Sequence, residues 1–134
     1  MSKQAAEDHD TFFSIYQNAL NALASEAEVA CDAMGEVNVP WQIQDEIGSH
    51  AWLADSPALG LDDEQRDGIK QLALAVKALP PEAVAPPGAY MESTEGCLKA
   101  MHHPAWAPLR REAARLAELL EEAFDRSDDF LHAN

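Results

Sequence analysis

Apolar positions recur along this chain at the alternating three- and four-residue spacing of helix faces, with polar residues filling the gaps. Between Thr11 and Met34 the set is Phe13, Tyr16, Leu20, Leu23, Ala27, Ala30 and Met34, which predicts one long amphipathic helix. Asp10 or Thr11 is placed to cap its start and Gly35 to end it in a left-handed conformation. Val39-Pro40 opens a second helix, because proline is tolerated at the first helical position. Its apolar set of Trp41, Ile43, Ile47, Ala51 and Trp52 is less regular, and Ser56-Pro57 closes it.

A third helix is announced by the run Asp62-Asp63-Glu64-Gln65, which fits a capping box between Asp62 and Gln65, and is carried by Ile69, Leu72, Ala73, Val76 and Leu79. Pro80-Pro81 stops it. The stretch 80–88 holds four prolines and no strong period, so it is expected to be a semi-rigid extended connector within a single domain. Ser93 or Thr94 can cap a short helix bearing Leu98 and Met101. A final helix is expected from Pro104 or Pro108 to Arg126, along Trp106, Leu109, Ala113, Leu116, Leu120 and Ala123. Residues 127–134 are expected to be a loose tail, with Phe130 and Leu131 able to dock.

No segment alternates β-branched and polar residues as a half-buried strand does, and no internal repeat is visible. The expected fold is therefore all-α: a single-domain antiparallel helical bundle of about five helices spanning residues 1–134. A chain of this length buries roughly two-thirds of its unfolded surface, enough for a core without a staple. Cys31 and Cys97 lie far apart with no CxxC partner, in segments that read as helix, and are expected to be buried free thiols. With no apolar run near the roughly 20 residues needed to cross a bilayer, the chain is expected to be cytoplasmic.

The formal net charge is −15, and its distribution is lopsided: residues 1–65 hold thirteen acids and a single base, Lys3. Such a field repels phosphate backbones and anionic lipid surfaces and attracts basic proteins, so neither nucleic acid nor membrane is an expected direct partner. Candidate chemistry is sparse. Glu46 and His50 are four apart on one helical face, but neither HExxH nor a paired ExxH is present, and the consecutive His102 and His103 point about 100° apart on a helix. Cys97 lacks a base at a useful spacing, the six glycines are never clustered into a phosphate-binding loop, and the acidic runs lack calcium-loop spacing. No catalytic residue, metal or cofactor is assigned.

Two features remain: the acids of residues 26–64 and the aromatic set Trp41, Trp52, Tyr90 and Trp106. Tryptophan beside acids is the composition of a binding hot spot. The expected partner-binding residues are Glu28, Asp32, Glu36, Trp41, Asp45, Glu46, Trp52 and Asp55. The expected role is a small acidic inhibitor of the immunity-protein or antitoxin kind, covering the basic cleft of a toxin or effector. The alternatives are a helical adaptor or self-associating module, and a phage-type inhibitor whose acids mimic nucleic-acid charge.

Overall fold

The computed structural model describes residues 3–33, 38–57, 59–86, 88 and 93–131; the side chains of 3–8, 33, 128, 130 and 131 fall outside it. Met34, Gly35, Glu36, Tyr90, His132 and the docking side chains of Phe130 and Leu131 therefore lie outside the described residues. Among those described there are seven α-helices and no strand: α1 Lys3–Ala24, α2 Ala27–Ala33, α3 Val39–Ser49, α4 Asp63–Lys77, α5 Pro81–Val84, α6 Thr94–Met101 and α7 Trp106–Leu131. A 3-10 helix follows α3 at Ala51–Asp55. The all-α class is as the periodicity predicts.

Helices α1 and α7 form the long antiparallel pair at the centre. Ser127 near the end of α7 donates its hydroxyl to buried Asp10 near the start of α1. At the opposite end Arg110 of α7 donates to the carbonyl oxygen of Ser25, 2.9 Å away, just past α1. Between these ties Phe13 and Phe124 stack at 4.5 Å, and Tyr16, Leu20, Leu23, Ala113, Leu116 and Leu120 are buried. Helix α4 lies antiparallel on α7: Gln65 donates to Leu119 O at 3.0 Å, and Gly68 sits against Leu116.

Several expectations are corrected. The first helix is two helices, because Ser25 turns its hydroxyl back to Asn21 O at 2.7 Å and lends its own carbonyl to the Arg110 guanidinium. The break redirects Ala30 and Cys31 toward α6, whereas a straight helix would have kept them on the α1 line. Asp10 is no N-cap: α1 begins seven residues earlier, at Lys3, and Asp10 is a buried tie to α7.

The connector 80–88 is not simply extended. Pro81–Val84 forms the short helix α5, with Ala83 and Val84 buried, since Pro81 at its first turn loses no needed hydrogen bond. The final helix does not stop at Arg126 but runs to Leu131, held by the Ser127–Asp10 bond, so residues 127–131 are helix and not loose tail. Pro108 falls in its first turn, where a missing N–H is harmless.

The cysteines are also corrected. Cys31 of α2 and Cys97 of α6 are joined in a disulfide with Cα atoms 6.0 Å apart, so neither is a free thiol and Cys97 offers no nucleophile. Sequence spacing could not reveal this, since the two meet only after α2 breaks away from α1. The capping box is present as expected: Asp62 accepts from Gln65 N at 2.8 Å, and Gln65 accepts from Asp62 N at 2.9 Å.

Candidate binding face

Asn38 starts α3 by accepting the Trp41 N–H at 3.1 Å, with Pro40 in the first turn. This fixes the helix rotation. Ile43 and Ile47 point into the core, so the opposite face carries Trp41, Gln42, Asp45, Glu46 and Ser49, with two acids and no base. Trp41 is 54% exposed, unusual for a large side chain in a domain that buries Trp106 completely.

On one flank of this face, α3 meets α4. Gln44 donates to Val76 O at 2.9 Å, and Gly48 lies under the stem of Lys77: a Cβ added there would come within 3.2 Å of Lys77 Cε. Trp41, Gln44, Asp45, Gly48, Ser49 and Lys77 line a shallow groove of about 280 Å³. Asp45 accepts the Ser49 hydroxyl at 3.2 Å, which presents its carboxylate along the groove.

On the other flank the Gln42, Glu46 and His50 row leads to α1. Glu46 accepts from Gln42 at 3.1 Å, while its backbone carbonyl lies 2.7 Å from His50 Nδ1, which must carry the proton because a carbonyl only accepts. The Glu46 carboxylate and the His50 ring therefore serve separate bonds. Among the described residues no group of three or more His, Cys, Asp or Glu is placed to hold a metal ion. The α-helix ends at His50 and tightens into the 3-10 turn, which stands Trp52 at the surface, 42% exposed.

Trp52 heads an aromatic cluster that the sequence reading did not contain. His9 and Phe12 meet it edge-on at 5.2 Å and 5.7 Å, the His50 ring lies tilted at 6.3 Å, and Phe12 lies 5.6 Å from His50. His9 Nδ1 is in turn bonded to Ser56 Oγ. Phe12 had a legible signal: it adjoins Phe13, and neighbours on a helix point about 100° apart, so only one of them could enter the core. Nothing local links His9 to Trp52.

The expected contact residues are thus divided. Trp41, Asp45 and Glu46 share the exposed face of α3, whereas on the following 3-10 turn Trp52 lies toward His9 and Phe12 of α1 and Asp55 toward Lys70 of α4. Glu28 and Asp32 are exposed on α2, outside the groove, where Glu28 pairs with His102 of α6 at 3.2 Å. Glu36 lies outside the described residues. The structure also brings bases to the acidic half from the second half of the chain: Lys70 pairs with Asp55 at 2.9 Å, and Lys77 borders the groove. Trp106 belongs to the core and takes no part in a surface site, donating its indole N–H to Ala83 O at 2.8 Å.

No family model, no curated protein and no solved structure matches this chain.

Proposed function

We propose that this chain is a small acidic protein-binding inhibitor of the immunity-protein or antitoxin kind, which neutralises a toxin or effector by covering its active site with the exposed face of α3 and the following 3-10 turn. One observation carries the reading: Trp41 and Trp52 stand at the surface beside Asp45, Glu46 and Asp55, while the other large aromatics with described side chains, Phe12 excepted, are buried. Exposed aromatics supply contact area at low entropic cost, and the acids steer a basic cleft into register and speed encounter.

The phage-type reading, in which the acids stand in for phosphates, shares the electrostatics but leaves the tryptophans without a role. A self-associating module would use the aromatics and leave the acids as solubilising charge. The role proposed is binding and not catalysis. The Cys31–Cys97 disulfide weighs against the reducing cytoplasm expected from sequence, and we place the working protein in an oxidising compartment.

The test is affinity capture of tagged protein from its native source at low and high salt, beside the Asp45→Lys/Glu46→Lys variant. A stoichiometric basic partner that the variant fails to hold supports the inhibitor reading. Equal capture by both proteins overturns the assignment of this face, and recovery of only the chain itself supports the self-associating module.

A further inference from the structure

We infer that the groove between α3 and α4 is a subsite for an arginine side chain of the partner, with Trp41 and Asp45 as its recognition groups; this rests on the inhibitor reading. The groove has the parts such a side chain needs. The Trp41 indole forms an exposed aromatic wall on which a planar guanidinium stacks, tryptophan being the strongest cation–π acceptor among the side chains. Asp45, one helical turn further on, lines the same groove with a carboxylate to which a guanidinium fork binds bidentately. Gly48 supplies a floor without a side chain, and the Gln44 amide is pinned to Val76 O as a fixed wall.

Lys77 shows how the floor is used. Its methylenes already lie along Gly48, where even one added carbon would crowd them, so a flexible alkyl stem ending in a cation packs here within the chain itself. Lys77 is an internal place-holder: exposed and long, it can swing aside when an arginine enters. The sign of the occupant follows from charge complementarity. The groove's lining sets Asp45 against Lys77, and it opens on the α3 face, whose charged residues are Asp45 and Glu46, so with the Lys77 ammonium turned aside the remaining charge is negative.

The test uses the full-length, oxidised, ¹⁵N-labelled protein titrated with N-acetyl-arginine amide, beside the glutamate and leucine analogues as controls. The chain has three tryptophans, so three indole N–H signals report on it; Trp41→Phe assigns the groove signal, and buried Trp106 shows that each variant stays folded. The expected result is a saturable shift of the Trp41 signal with the arginine probe alone. Asp45→Asn should weaken it about tenfold, the loss of one charge-assisted pair, and Lys77→Met, which keeps the stem and removes the competing charge, should strengthen it several-fold.

An equal response to leucine or glutamate overturns the inference, as does loss of the arginine response in Lys77→Met, which would show that the Lys77 ammonium does not compete for the groove. Broadening of the Trp41 signal with protein concentration, without probe, would assign the groove to a second copy instead. If arginine fails while partner capture still depends on Asp45 and Glu46, this inference falls and the inhibitor reading stands. If arginine binds and no protein partner is captured at either salt, the groove's preference for arginine stands, while the inhibitor reading, and with it the assignment of that arginine to a partner protein, falls.

Discussion

Trp106, the first residue of α7, donates its indole N–H to the carbonyl oxygen of Ala83 in α5, 2.8 Å away and fully buried. The bond fastens a four-residue helix that could not persist on its own, since so short a segment never repays helix nucleation. Trp106→Phe removes the donor, strands the Ala83 carbonyl and leaves a void. We expect a loss of about 2–4 kcal/mol, from the unsatisfied carbonyl and the cavity together, read as a lower urea midpoint with an unchanged slope.

The Cys31–Cys97 disulfide closes a loop of 66 residues and ties α2 to α6 beside the Glu28–His102 pair. Chain-entropy arguments give such a cross-link about 4 kcal/mol. Thiol titration of the unfolded, unreduced protein should find no free thiol, and reductant should release two. Cys31→Ser/Cys97→Ser should lower the unfolding midpoint by a corresponding amount. Two thiols without reductant would refute the bridge.

Tyr16 is wholly buried, and its hydroxyl has no hydrogen-bond partner among the described residues. Burial pushes its phenol well above the usual value of 10.0. Because the neutral form is favoured in the folded state, the contribution to stability is full below about pH 10 and is lost as pH rises above it. Spectrophotometric titration should show Tyr16 resisting ionisation until the protein unfolds in alkali. Tyr16→Phe removes a desolvated hydroxyl without a partner and should be neutral or stabilising by up to about 1 kcal/mol, while abolishing this alkaline dependence.

Gly48 lies inside α3 with the movable Lys77 side chain above it and Val76 Cγ2 at an ordinary 3.7 Å from an added Cβ, whereas Gly68 of α4 faces Leu116, whose Cδ1 would sit 2.6 Å from an added Cβ. Gly48→Ala should therefore approach the helix-propensity gain of about 1 kcal/mol, the Lys77 stem shifting outward into solvent. Gly68→Ala should fall short of that gain and show a net loss of about 1 kcal/mol, because buried Leu116 must repack. Thermal unfolding of the two variants side by side checks the contrast, and equal midpoints would show that Leu116 yields freely.

Helical class, the Asp62–Gln65 capping box, the Pro40 and Ser93 helix starts and most core positions of α4 and α7 were legible in sequence, because each rests on contacts within a few residues. The acids and tryptophans of the candidate face were legible as residues, but not their arrangement. Trp41, Trp52 and Trp106 all lie in short or proline-flanked segments. Only packing sorts them, sending Trp106 to the core and leaving the other two at the surface.

By itself the sequence determined the all-α class, the starts of α3, α4 and α6 and that the first half is acidic, since periodicity, capping geometry and charge are properties of neighbouring residues. Tertiary structure alone decided the break at Ser25, the Cys31–Cys97 bridge, the Asp10–Ser127 tie and the meeting of His9, Phe12, His50 and Trp52. It also brought Lys70 and Lys77 to the acidic face. Each of these joins groups from different elements, and such pairings are chosen by which apolar faces bury together rather than by anything local to either residue.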